Sequence, residues 1–307
     1  MILQPLKILI LAKIKWFILG VLIANLILLM LYMRLVEPHW FKIKRQELAS
    51  EKWRCKKALK ILHLSDFHAM GPMPYSDIEK AIWRGLMEKP DIIMLTGDFI
   101  TWKLIDPEKY APLLSLLPAA APTFACLGNH DGGAWAGSSH GYPTHEKVET
   151  LLKSSGICTL VNESVDLNLH GQKVRIIGLG DFWNRESQPE KVLKKDASLE
   201  GVFQIVLAHN PDSKELLEDF KWDLMLCGHS HGGQLYVPLL GRPFAPIKDH
   251  AFASGLIKWE GRWINVTNGV GNLHGLRLNC RPQINVIELS SKEATQSKSE
   301  RMPKIGN

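Results

Sequence analysis

Cysteine is scarce and poorly placed for cross-linking. The five cysteines, Cys55, Cys126, Cys158, Cys227 and Cys280, are odd in number, scattered, and include no C-x-x-C pair, which excludes a disulfide framework and argues against a thiolate zinc site. Cys126 and Cys227 lie inside apolar runs, where a free thiol behaves as a small hydrophobe. No internal repeat is visible, so a repeat array is excluded. Basic excess is missing from most of the chain: residues 1–60 hold 12 Lys and Arg against 3 acids, which leaves 25 basic against 28 acidic side chains in residues 61–307. That balance is no electrostatic footprint for a phosphate backbone, and no nucleic-acid partner is expected. With 46% hydrophobic and 22% charged residues, disorder of the bulk of the chain is excluded as well.

What is present begins with one long apolar run. Residues 16–33 (WFILGVLIANLILLMLYM) carry no charge over 18 positions, about the minimum for a helix that crosses a hydrocarbon core. Asn25 is its only strongly polar side chain, no polar face interrupts it, and no small-x-small cleavage site follows. Residues 1–36 are therefore expected to form an uncleaved single-pass anchor. Lys7, Lys13 and Lys15 precede the span, while Arg34, Lys42, Lys44, Arg45 and Lys52 follow it. This excess places the following domain on the cytoplasmic side of a bacterial inner membrane. Residues 37–56 read as a basic juxtamembrane linker, with Trp40, Phe41, Ile43, Leu48 and Trp53 set among the cations, a mixture that suits either an anionic membrane surface or a solvated linker.

From residue 57 to residue 289 short β-rich runs alternate with amphipathic stretches. Strands are expected at 58–64, 91–95, 123–127, 173–179, 202–208 and 222–227, with helices at 77–88, 107–117 and 211–220, and shorter strands at 233–237, 262–266 and 284–289. Strands with helical connections followed by a run of shorter strands imply an α/β domain of two packed mixed β-sheets flanked by helices. Residues 290–307 are rich in Ser, Lys and Glu, lack a periodic apolar face, and are expected to be a disordered tail.

The chemistry sits where those strands end. Asp66 and His68 follow the first, Gly97-Asp98 the second, Gly128-Asn129-His130-Asp131 the third, His209 the strand 202–208, and Gly228-His229-Ser230-His231 the strand 222–227. In α/β sheets the ligand crevice lies at the carboxyl ends of the strands, so groups more than 160 residues apart can converge there. A lone histidine at a strand end is usually structural; five such blocks in one fold argue for one cleft. Asp, His and Asn supply oxygen and imidazole donors that suit Mn²⁺, Fe²⁺, Mg²⁺ or Zn²⁺. The donors are too many for one tetrahedral ion; two ions about 3.5–4 Å apart, sharing a carboxylate, would act on an in-line displacement at phosphorus.

These blocks, D-x-H, G-D, G-N-H-D, a single H and G-H-x-H in that order, resemble the calcineurin-like metallophosphoesterase superfamily. The segments at 121–131, 206–214, 222–235 and 275–282 are similar to its bacterial YaeI branch of phosphodiesterases. The resemblance covers residues 37–289 and implies a four-layer sandwich with two divalent metal ions, Mn²⁺ first among the candidates. By the resemblance, Asp66, His68 and His231 hold the first ion, Asn129, His209 and His229 the second, and Asp98 bridges. His130, held by Asp131, would stabilise the phosphoryl oxygens or protonate the leaving group, a general-acid role that suits histidine. Membrane-associated members of the branch cleave the pyrophosphate of UDP-2,3-diacylglucosamine to UMP and lipid X, so a membrane lipid substrate is implied and no obligate protein partner is. Residues 237–247 (VPLLGRPFAPI) would either border the cleft and supply an apolar place for acyl chains or form a Pro-rich loop packed on its own sheet. Arg277, with Asn268 on the same loop, would either hold a substrate phosphate or form a surface salt bridge. Generic diesters, cyclic nucleotides and phosphoproteins are the alternative substrates. A non-catalytic membrane scaffold is disfavoured because every expected ligand position is filled.

Overall fold

A long uncharged run makes the first element. In the computed structural model, which describes residues 3–69, 72–194 and 199–293, α1 spans Leu3–Leu35, and its side chains from Leu9 onward are exposed almost all round. Among the described residues it is the one helix long and apolar enough to cross a membrane, with none of its apolar window buried against the protein.

The predicted linker is instead a strand. β1 (Lys42–Ser50) pairs in parallel with the last strand, β12 (Gln283–Ser291), in the register Ile43 to Ile284 and Leu48 to Leu289. Phe41, Leu48 and Trp53, expected at a lipid interface, are buried in the core; Trp40 alone of the large apolar residues in that segment is exposed. Lysines and an arginine on this strand hid it from a period-two reading, and charge of that kind is how an edge strand avoids pairing with another molecule.

Between these ends the chain runs β2 (Leu59–Leu64), α2 (Tyr75–Leu86), β3 (Ile92–Thr96), α3 (Pro107–Ala120), β4 (Thr123–Cys126), α4 (Gly133–Ser138), α5 (Glu146–Ser154), β5 (Cys158–Thr159), β6 (Glu163–Leu169), β7 (Gln172–Gly178), β8 (Val202–Leu207), β9 (Leu224–Cys227), β10 (Gly255–Trp259) and β11 (Arg262–Val266). Two six-stranded mixed sheets result, ordered β1-β12-β2-β3-β4-β5 and β10-β11-β9-β8-β7-β6. Alternation along each strand divides its residues between two layers. Leu59 and Ile61 of β2, Ile92 and Met94 of β3, and Phe124 and Cys126 of β4 face the second sheet, where they meet Phe203, Ile205 and Leu207 of β8 and Leu224 and Leu226 of β9. Leu62, Leu64, Ile93 and Leu95 face outward against α2, α3 and α5. The outer face of the second sheet is covered more thinly, by 3-10 turns such as Pro211–Leu217 and His250–Phe252, where the sequence predicted one α-helix.

The strand expected at 233–237 does not form, because Gly232 and Gly233 have positive φ and carry the chain into a 3-10 turn, His231–Gly233. β12 continues to Ser291, and from residue 294 the expected tail lies outside the described residues. Trp53 tests the recast N-terminal segment: its ring meets Phe203 edge-on at 6.5 Å and its indole N–H donates to the Lys57 carbonyl at 3.1 Å. Trp53→Ala is expected to cost about 3–5 kcal/mol in denaturant unfolding of the detergent-solubilised protein; a change within about 0.5 kcal/mol would mean a surface linker after all.

Candidate metal centre

The five predicted blocks sit in the loops that leave β2, β3, β4, β8 and β9 at one end of the paired sheets. Their backbone is held where side-chain-bearing residues seldom go. Asp66 (φ 54°), His68 (46°), Asp98 (55°), His229 (63°) and His231 (49°) are all left-handed, at a cost of about 1–3 kcal/mol each. Two glycines let these loops close on one another. A Cβ on Gly97 would meet the Gly128 nitrogen at 2.5 Å, and one on Gly228 would overlap Ser65 Oγ and Asp66 Oδ2.

The side chains converge on Asp98. His68 Nε2 lies 3.4 Å from Asp98 Oδ2 and 3.0 Å from His231 Nε2, which is 3.5 Å from Asp66 Oδ1. On the other side, Asp98 Oδ2 is 3.1 Å from His209 Nε2, itself 3.3 Å from His229 Nδ1. Two groups, Asp66-His68-Asp98-His231 and Asp98-His209-His229, thus share one carboxylate, and the donor atoms within each lie within 4.8 Å of one another. Asn129 is buried beside them. Outer hydrogen bonds fix which ring nitrogen faces inward. His209 Nδ1 donates to the Thr96 carbonyl at 2.6 Å and His229 Nε2 to the Pro246 carbonyl at 3.2 Å, so His229 Nδ1 keeps a lone pair for the centre and His209 turns Nε2 toward it.

The donor set fits divalent cations. Asp66 Oδ2, Asn129 Oδ1 and His231 Nδ1 are buried with no hydrogen-bond partner, and buried polar atoms rarely go unpaired without an ion, a water or a role in the site. All are nitrogen or oxygen, the donors of borderline and hard ions. Burial holds His68 and His229 down to about 3 and His231 well below the usual range, so these rings stay neutral. Burial works against ionised Asp98 too, but the charge of His209 outweighs it and keeps that carboxyl well below the carboxylate range. Burial likewise opposes a charged His209, and Asp98 again prevails, raising it to about 10. Burial lifts Asp66 to about 7.

Three predicted roles change. Asp131 does not hold the His130 ring: its carboxylate accepts backbone N–H bonds from Gly128 and Asp98 at 2.8 Å and from Phe99 at 2.7 Å. His130 Nδ1 donates instead to the Thr101 carbonyl at 2.6 Å, which leaves Nε2 for chemistry. Arg277 is fully buried; its guanidinium donates to the carbonyls of Cys280, Asn268 and Gly271 at 2.8, 2.8 and 2.6 Å, so no donor fork is offered to a substrate. Asn268 accepts from Ser254 Oγ at 2.6 Å and donates to the Arg281 carbonyl at 3.2 Å. Both brace the loop behind His231.

A cavity of about 750 Å³ opens over the centre, floored by Asp98, Asn129, His130, His229 and His231. Its walls were hardly visible in the sequence. Trp102 and Trp135 stack at 6.2 Å beside His130, and Trp183 packs edge-on to His229 at 4.3 Å. The available signal was positional: Trp102 and Trp135 each follow a ligand block by four residues. Phe244 and Pro246 line the same cavity, as expected of residues 237–247, and Leu235, outside that run, joins them.

Metal-free, the centre holds protons that a cation must displace: Asp66 near 7 and His209 near 10. Both titrate upward from their ordinary values, so binding is expected to release protons and to tighten from about pH 6 to about pH 9. Mn²⁺ calorimetry on chelator-stripped protein, in buffers of different ionisation enthalpy, reads both effects. Heat independent of buffer, with affinity flat across that range, would contradict them.

Comparison with known proteins agrees with this geometry. A profile for calcineurin-like phosphoesterases matches residues 59–233. The chain is 42% identical to phosphodiesterase YaeI of Escherichia coli strain K12, covering 84% of this chain and 92% of that protein. It is 26% identical to UDP-2,3-diacylglucosamine pyrophosphatase LpxG of Chlamydia trachomatis, over 81% and 89% of the two chains, and 29% identical to the metallophosphoesterase YkuE of Bacillus subtilis, over 85% and 89%. With its shared carboxylate, its inward-facing imidazoles and a cavity above them, the chain belongs to the calcineurin-like phosphoesterase family and is a metal-dependent hydrolase of phosphate esters.

Proposed function

We propose that the protein hydrolyses the pyrophosphate of UDP-2,3-diacylglucosamine, giving UMP and lipid X for lipid A synthesis, from the cytoplasmic face of a bacterial inner membrane. The observation that carries this reading is an apolar and aromatic cavity joined to two metal-ligand groups, in a domain whose N-terminal helix can span a bilayer. Relatives named as pyrophosphatases of that lipid, at 26% and 27% identity, support it. The basic residues from Arg34, in the last turn of α1, to Lys52 favour the cytoplasmic side.

When bound, two divalent ions supply Lewis acidity at phosphorus and a nucleophile at neutral pH. The donor set suits Mn²⁺, with Mg²⁺, Fe²⁺ and Zn²⁺ close behind. The chain's own residues do the rest. His130 Nε2, oriented through Nδ1 and Thr101, delivers a proton to the departing phosphate oxygen. Trp102, Trp135 and Trp183 exclude water from the reacting centre, and Leu235 and Phe244 receive the acyl chains.

A second reading keeps the chemistry and changes the substrate to another diester. The 42% relative, named simply as a phosphodiesterase, favours it. The two readings part in one assay, with detergent-solubilised protein, Mn²⁺, and bis-p-nitrophenyl phosphate beside the lipid. Release of UMP and lipid X far faster than p-nitrophenol, abolished by EDTA, is expected; hydrolysis of the generic diester alone would leave the second reading. Asp98→Ala is expected to abolish both activities. His130→Ala is expected to lower kcat about 10²–10⁴-fold with metal content unchanged, and a loss of metal in parallel would assign His130 to ligation instead.

A further inference from the structure

Outside α1, large exposed apolar side chains concentrate in one short segment. Tyr236, Leu239, Leu240 and Phe244 fall within nine residues; Leu239 is 105% exposed, Leu240 74% and Phe244 66%. This segment is a built hairpin. Val237 and Gly241 exchange two backbone hydrogen bonds at 2.8 Å, and Pro238 and Pro243 stiffen its two arms. At its tip Leu239 has φ 71°, a left-handed conformation that a leucine seldom adopts. A soluble turn would place Gly or Asn there. Here an apolar side chain is held outward at a cost in both strain and hydration.

The position of the hairpin says what would cover it. Tyr236 N–H donates to the Leu278 carbonyl at 2.8 Å, and the neighbouring Arg277 N–H donates to the Met33 carbonyl at 3.0 Å. One loop therefore carries both the hairpin base and the last turns of α1. Cations surround that junction. The Arg242 guanidinium lies over the Tyr236 ring at 5.4 Å, and that of Arg281 over exposed Trp40 at 3.9 Å. Lys42, Lys44 and Arg242 lie close enough for their charges to act on one another. An apolar tip beside aromatic rings and cations suits the boundary between acyl chains and anionic headgroups.

We propose that the 236–244 hairpin is a second membrane contact, with Leu239 and Leu240 inserted into the acyl boundary of an anionic leaflet and Arg242, Lys42 and Lys44 at its headgroups. The proposal rests on α1 as a membrane span and not on the identity of the lipid substrate. Because Phe244 belongs both to the hairpin and to the cavity wall, the contact opens the cavity toward the bilayer rather than toward bulk water.

The test uses the full-length protein in vesicles of phosphatidylcholine with about 30% phosphatidylserine. In a Cys55→Ser, Cys158→Ser background, an environment-sensitive fluorophore is placed singly at Leu239→Cys, at Leu26→Cys within α1, and at Lys153→Cys on α5, at the far edge of the first sheet. Blue-shifted emission quenched by doxyl-labelled lipids is expected at 239 and at 26 but not at 153. A label at 239 as water-like as that at 153, with 26 quenched, would overturn the proposal. An unquenched label at 26 would remove the span itself, and the hairpin contact with it, while leaving the phosphoesterase assignment untouched.

Discussion

The architecture of the centre hangs on the buried carboxylate of Asp131. It accepts hydrogen bonds from the backbone of Gly128 within its own loop and from Asp98 and Phe99 across the gap, so the loop after β3 is tied to the loop after β4. Asp98 in turn accepts from the His130 backbone N–H at 3.0 Å. The shared carboxylate of the two ligand groups is thereby fixed at the level of backbone as well as side chain. Asp131 is fully buried, and that burial, with Asp98 nearby, lifts its carboxyl to about 7. A side chain that turns only backbone donors can hold geometry without competing for a cation.

Around that knot the fold accepts costs that packing elsewhere must offset. Five candidate ligand residues in left-handed backbone, three orphaned polar atoms and a crowd of neutral imidazoles are each unfavourable alone. They persist because the strands beneath them leave no alternative: β2, β3, β4, β8 and β9 are central, nearly fully buried strands whose ends deliver the loops to one point. His63 shows the contrast. It is also buried, at the end of β2, but Asn265 donates to its Nδ1 at 2.9 Å and its Nε2 donates to Thr96 Oγ1 at 2.8 Å, so both ring nitrogens are satisfied and nothing is left for a ligand. Satisfied and unsatisfied histidines in one interior separate structure from chemistry better than burial does.

The same distinction explains what the sequence revealed and what it hid. The central strands were legible because they are short apolar runs, and the candidate ligands stood out because each follows such a run directly. Edge and surface strands were not. β1 and β6 carry charges on their exposed faces, and their period-two signal is diluted by the feature that protects an edge. Arg277 and Asp131 misled for another reason. Residue type advertises what a side chain is able to bind, but whether its donors or acceptors are already taken depends on carbonyls and N–H groups brought in from distant loops. Both terminal nitrogens of the Arg277 guanidinium are taken by main-chain carbonyls, and no local pattern announces that.

The absence of a flexible linker is the last consequence of the fold. Glu37, two residues beyond α1, accepts the Asn279 and Cys280 N–H groups at 3.0 and 2.5 Å, a contact that spans more than 240 residues of sequence. The neighbouring Arg277 is bonded to the α1 end through its own N–H and to the Gly271 carbonyl through its guanidinium. Gly271 then donates to the Asp66 carbonyl at 2.7 Å, behind one of the ligands. Helix, brace and ligand loop therefore form one mechanically continuous path. A domain on a loose tether would sample many heights above a bilayer and would have to capture its substrate from solution. With α1 in a bilayer, a domain welded to its helix end would hold its cavity at one height and one tilt, the arrangement that the proposed membrane-lipid substrate calls for.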